Sequence, residues 1–164
     1  LGTIIISGTW ATGSPQTVAI PSGYPFLKVM AVAYPIYTTN PDILMQVNAY
    51  SGRQYHLFRA SLRSGYTGTV FMSNAFFYIF LATGPPGATA LGVGTLHALG
   101  GGRHSWLGYT QIIRSGQATV GDLQSIITGG YLDNPGVVSG LTFWSAASGR
   151  IFSGSVIKVF GATI

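Results

Sequence analysis

The chain has 164 residues, and its charged fraction of 7% is far below the roughly 25% of an average soluble domain. It contains three carboxylates, Asp42, Asp122 and Asp133, and no cysteine. This composition excludes a disulfide framework and cysteine-based chemistry, and it leaves few groups for acid–base catalysis. The length, with no linker or shift in composition, predicts a single domain over residues 1–164.

The distribution of charge and apolar residues limits the possible partners. Eight Lys and Arg residues give a net charge of +5, but they are scattered apart from the stretch 53–63, whereas a phosphate backbone requires a dense basic stripe. We therefore predict no nucleic-acid partner.

The uncharged segment 75–102 is broken by Gly and Pro into pieces too short to span a membrane, so we predict no membrane insertion. A hydrophobic fraction of 47% leaves neutral apolar surface, which is often covered by identical subunits, and this predicts a homo-oligomer.

Short runs of β-branched and aromatic residues recur along the chain, each bounded by Gly, Pro, Asn or Ser. In chain order they predict strands over 3–10, 16–20, 26–37, 44–50, 54–60, 68–72, 76–82, 88–96, 105–114, 137–146 and 156–160. Residues 120–127 fit either a short helix or a further strand. The pattern is typical of an all-β antiparallel sandwich or barrel.

The sequence contains no recognisable catalytic or cofactor motif. No serine lies in a Gly-x-Ser-x-Gly frame, and no phosphate-binding or dinucleotide-binding glycine motif is present. Asp42 and Asp133 stand beside Asn-Pro and Pro-Gly turns, where Asp typically caps the backbone. His97 and His104 are separated by a glycine loop and have no third ligand nearby in sequence. We therefore predict no enzyme activity, no metal and no cofactor, although symmetry-related subunits could still combine metal ligands on a three-fold axis.

Two segments have the composition of a recognition surface. In the first segment, 53–66, arginines are interleaved with aromatic and hydrogen-bonding side chains. The second segment, 103–106, follows the flexible loop Gly100-Gly101-Gly102, which we expect to bring Arg103 and His104 to the surface beside Trp106. The alternative for the first segment is a plain strand pair with a solvated face. The second segment has a structural alternative too, because aromatic residues are common in an all-β core. The predicted binding residues are Arg53, Tyr55, His56, Arg59, Arg63, Tyr66, Arg103, His104 and Trp106.

The C-terminal segment 141–161 resembles the ending of bacteriophage tail-fibre and related receptor-binding proteins. There, a strand and a Ser/Gly turn lead into a terminal strand, represented here by Ser155-Val156-Ile157-Lys158-Val159-Phe160-Gly161, with Phe160 where the family pattern usually has tyrosine. Residues 111–130 loosely fit the strand that often precedes this ending. The resemblance covers about the last third of the chain and carries over no binding residues, because in that family the motif belongs to the scaffold.

The resemblance implies a β-sandwich, a jelly-roll-like knob at the tip of a trimeric fibre on the virion, preceded by an N-terminal shaft. Its expected partner is a bacterial surface receptor, either lipopolysaccharide, another anionic glycan or an outer-membrane protein, and the cationic balance suits such glycans. Two alternatives stay open at this point: a capsid or decoration protein, and an enzyme that degrades surface polysaccharide.

Overall fold

The computed structural model describes residues 1–5, 15–34, 42–50, 55–63, 65–74, 77–81, 89–99, 103–113, 123–133, 136–146 and 154–163. The described residues form twelve strands and no helix. The strands are β1 (Gly2–Ile5), β2 (Gln16–Ala19), β3 (Phe26–Ala33), β4 (Asp42–Val47), β5 (Tyr55–Arg63), β6 (Gly65–Asn74), β7 (Phe77–Leu81), β8 (Thr89–Leu99), β9 (Arg103–Ile113), β10 (Leu123–Asp133), β11 (Gly140–Ser145) and β12 (Val156–Ala162).

The strands form two antiparallel sheets that share one hydrophobic core. The larger sheet has the order β1-β12-β3-β8-β9-β10-β5-β6, and the smaller has the order β2-β11-β4-β7. Without β5, β6, β9 and β10, the remaining strands have the order of an eight-stranded jelly roll, in which the chain passes back and forth between the two sheets. The predicted all-β antiparallel sandwich is confirmed, and the four additional strands widen one of its sheets.

Alternation along each strand separates a buried face from an exposed one. In β3, Leu27, Val29 and Ala31 point into the core, while Lys28 and Met30 point away from it. The same period holds in β8, β9 and β12. The inner face of the larger sheet therefore packs on the smaller sheet, and its outer face is left for solvent or partners.

Residues 123–133 form strand β10, so the helical alternative for residues 120–127 is wrong over the described part of that segment. A strand is favoured over a helix because it places the inward-facing side chains in the core or in hydrogen bonds. Ile126 and Leu132 lie in the core, and the Thr128 hydroxyl accepts a hydrogen bond from Trp106 Nε1 at 3.2 Å and donates to the Ile79 carbonyl at 3.3 Å. These bonds link three strands and both sheets.

Trp106 is packed on glycines of two neighbouring strands. Gly94 on β8 pairs with Gly108 on β9, and the indole ring covers the inner face of both. A Cβ atom at Gly108 would lie 2.7 Å from the indole, and one at Gly94 would overlap it. These strand glycines therefore provide the space that Trp106 occupies, the largest buried side chain among the described residues.

Candidate functional site

The outer face of the larger sheet brings five residues from five strands into one row. Phe26 pairs with His97, His97 with Ser105, Ser105 with Tyr131, and Tyr131 with His56. Residues directly opposite each other in an antiparallel pair point to the same face. We call this set of five residues the ring row, since four of its members carry an aromatic or imidazole ring.

The rings pack in two pairs at the ends of the row. His56 and Tyr131 are stacked, with ring centroids 4.4 Å apart and planes inclined by 16°. Phe26 and His97 meet edge to face, with centroids 4.7 Å apart and planes inclined by 76°. Tyr131 is 43% exposed. Flat rings that are held by their neighbours and partly open to solvent suit stacking against a sugar or another planar group at little entropic cost.

A charged pair lies beside the ring row. Arg103 pairs with Asp133 at the next outward-facing register along β9 and β10, and Arg103 Nε donates to Asp133 Oδ1 at 2.8 Å. The side chains are 69% and 40% exposed. An exposed pair of this kind contributes little to stability, but it holds a guanidinium group in place next to the rings. His56 and Arg103 are thus two predicted binding residues that the fold places on one surface.

Three predicted binding residues are buried in the core, which corrects the expectation that they face a partner. Tyr55 is 0% exposed, and its hydroxyl accepts from the Val47 amide at 3.1 Å and donates to the Tyr50 carbonyl at 3.0 Å. His104 and Trp106 are each 2% exposed, and His104 Nε2 lies 2.9 Å from the Gly136 carbonyl. The segment 103–106 belongs to β9 rather than to a loop, so alternation turns two of its side chains inward.

The pKa values of two of these buried groups are shifted. Burial raises the pKa of Tyr55 to about 12, because the phenolate would lose its hydration. Burial also lowers the pKa of His104, and the hydrogen bond to Gly136 only partly opposes this. Both groups are therefore held neutral near pH 7, as core residues rather than as charged binding groups.

The other predicted binding residues lie wholly or partly outside the described structure. Arg53, like the predicted loop 100–102, lies outside the described residues. The backbones of Arg59 and Arg63 belong to β5 and that of Tyr66 to β6, but their side chains are not described. Their part in binding stays a prediction.

The described carboxylates and histidines are separated by the fold. Asp42 is buried at the start of β4 in the smaller sheet, whereas Asp133 ends β10 in the larger one. The Asp133 carboxylate accepts a hydrogen bond from Arg103. His97 points outward from β8 and His104 inward from β9, so they lie on opposite faces of one sheet. No group of three or more metal-ligating side chains occurs among the described residues.

Sequence reasoning missed most of the ring row. Phe26, His97, Ser105 and Tyr131 come from segments with no shared motif, and only His56 was predicted as a binding residue. The available signal was alternation, which puts Ser105 on the face opposite to Trp106 and Tyr131 opposite to Leu132. It could not show that these positions come into register, since the Phe26–His97 and Tyr131–His56 pairs join strands that are distant in the chain.

The fold and the ring row together define a jelly-roll β-sandwich with a widened sheet that carries aromatic rings on its outer face. No protein-family model matches the chain, and no curated protein matches its sequence. None of the described residues forms a helix long and apolar enough to cross a membrane.

Proposed function

We propose that this chain is the receptor-binding head of a phage tail-fibre type of protein. It acts as a homotrimer on the virion and adheres without catalysis to a bacterial surface receptor. The observation that carries the proposal is the ring row beside the Arg103–Asp133 pair, because stacked rings next to a fixed guanidinium suit an anionic glycan. An outer-membrane protein would use the same groups as a hydrogen-bonding and aromatic contact surface.

The C-terminal resemblance supports the same proposal. The segment Val156–Ala162 forms β12, which pairs with β1 on one side and with β3 on the other. The family-like ending is thus an integral strand of the sandwich, as expected of a scaffold motif. The ring row lies on β3, β5, β8, β9 and β10 of the same sheet and has no member on that strand.

Binding to whole cells and to purified glycans tests this function. The chain, tagged and folded, is incubated with a panel of bacteria and with lipopolysaccharide and capsule preparations. We expect retention on some of them, and Tyr131→Ala should weaken it at least fivefold, as for a contact worth more than about 1 kcal/mol. Val137→Ala is the matched control, since Val137 is 75% exposed in the segment before β11. No retention on any cell or glycan, or equal retention of both variants, would contradict the proposal.

A second candidate is a capsid or decoration protein, and it is favoured by the apolar residues elsewhere on the outer face. Met30, Leu91 and Leu107 are each 39–57% exposed, which suits a chain that packs against other copies. Negative-stain imaging and mass measurement separate the two functions. Closed shells or capsid-bound copies support the second candidate, and a discrete small oligomer that adheres to cells supports the first.

Degradation of surface polysaccharide remains the alternative that the binding assay must also address. Product analysis by reducing-end formation would detect it, and the informative variants are Asp42→Asn, Asp122→Asn and Asp133→Asn. Cleavage that one of them abolishes while the variant stays folded would replace adhesion with catalysis.

A further inference from the structure

Much of the outer face of the larger sheet is apolar beyond the ring row. Seven large apolar residues there are 36–57% exposed: Met30, Phe58, Leu91, Val93, Leu107, Tyr109 and Phe160. Strand pairing makes them neighbours, with Met30 opposite Val93 and Val93 opposite Tyr109. We call these seven residues the apolar face.

The apolar face is large for a monomer. With about 150–250 Å² for a large side chain, the observed exposures add up to roughly 600 Å² of apolar surface. This reaches the upper end of the range of about 300–600 Å² for the largest apolar patch on a typical monomer. It also supplies most of the about 800 Å² that each partner contributes to a standard stable interface.

The apolar face has a groove and a ridge side by side. The groove has a volume of about 670 Å³ and is lined mainly by Met30, Leu91, Val93, Tyr109, Val156 and Phe160. The ridge is formed by Leu107 and Phe58, whose ring lies over Gly129 on the intervening strand β10. Leu107 is 57% exposed, the most of the seven. The most exposed side chain of the apolar face thus lies on the same surface as an apolar groove.

We propose that the apolar face is covered by a second copy of this chain, with the ridge of one copy in the groove of the other. A face that holds an apolar groove and strongly exposed apolar side chains can cover itself in a second copy, around a two-fold axis or in a closed ring. The contact rests on the homo-oligomer of the proposed function, and it uses none of the ring row.

Sedimentation of the folded chain tests the interface. We expect the wild type to sediment as a dimer or trimer, and Leu107→Lys to raise its dissociation constant at least tenfold, because a buried lysine would meet no counter-charge. Val137→Lys is the matched control, since it makes the same kind of change at an exposed apolar residue outside the face. A wild type that stays monomeric overturns the proposal, and so does a Leu107→Lys oligomer of unchanged affinity. A monomer that binds lipid vesicles through this face would assign it to a membrane instead.

Cysteine cross-linking keeps the proposal testable if Leu107→Lys fails to fold. The chain has no cysteine, so single substitutions report only on the chosen positions. A mixture of Leu107→Cys and Leu91→Cys should form a mixed disulfide on mild oxidation, because the first lies on the ridge and the second lines the groove. Leu107→Cys with Val137→Cys should not. Equal yields in the two mixtures would contradict ridge-in-groove packing, and either result leaves the receptor assay unaffected.

Discussion

The substitution Gly94→Ala probes how Trp106 is held in the core. A methyl group at Gly94 would overlap the indole ring and would lie 2.9 Å from the Leu107 carbonyl oxygen, which is backbone and cannot move aside. The indole must therefore shift, and its 3.2 Å hydrogen bond to Thr128 is lost or lengthened. Overpacking costs about 1–3 kcal/mol, and the hydrogen bond contributes about 1 kcal/mol. The usual gain from replacing a strand glycine by alanine, about 0.5–1 kcal/mol, offsets part of this.

We expect Gly94→Ala to lower the free energy of unfolding by about 1–3 kcal/mol, measured by urea denaturation. Gly140→Ala is the matched control on β11, since its Cβ would meet nothing closer than 3.6 Å, and it should be neutral or slightly stabilising. In a Trp106→Leu background the cost of Gly94→Ala should largely disappear, because the smaller side chain leaves room for the methyl group. Equal stability of the Gly94→Ala and Gly140→Ala variants would refute the packing argument.

Three further predictions concern buried or strained groups. Tyr55→Phe should cost about 1–3 kcal/mol by leaving the Val47 amide and Tyr50 carbonyl without their hydroxyl partner. Because the Tyr55 pKa is raised to about 12, the contribution of the hydroxyl to stability is present below about pH 10 and is lost as pH rises toward 12. Ultraviolet titration should show one tyrosine that ionises later than the others, and this tyrosine should be missing in Tyr55→Phe. His104 has a lowered pKa, so the unfolded chain takes up its proton first. The free energy of unfolding should therefore fall as pH drops below about 6.5. In His104→Gln, the urea midpoint should change less with pH over the same range. Ala49 has a φ of 53°, so Ala49→Gly should raise the thermal midpoint by relieving up to about 1 kcal/mol of strain, and an unchanged or lower midpoint would contradict this.

Local patterns predict much of this sandwich. The β-branched and aromatic runs identify strand segments, and alternation in β3 correctly separates Leu27 and Val29 from Lys28 and Met30. Local patterns do not decide the structure of residues 120–127, because their apolar residues fit a short helical stripe as well as a strand. The structure has strand β10 over residues 123–133. The predicted strands 88–96 and 105–114 contain Gly94 and Gly108, but no local pattern shows that Trp106 packs on both glycines.

Strand content and a two-faced sheet follow from composition and from the two-residue repeat, because both depend on neighbours in the chain. Which face of β9 is buried does not follow from the sequence. One face carries His104 and Trp106 and the other carries Leu107 and Tyr109, and all four side chains are large and partly apolar. Packing settles it: the indole fits over paired glycines beneath the smaller sheet, and Leu107 is turned outward. The ring row has the same origin, because the contact of His56 with Tyr131 and of Phe26 with His97 depends on register between distant strands, which no local pattern encodes.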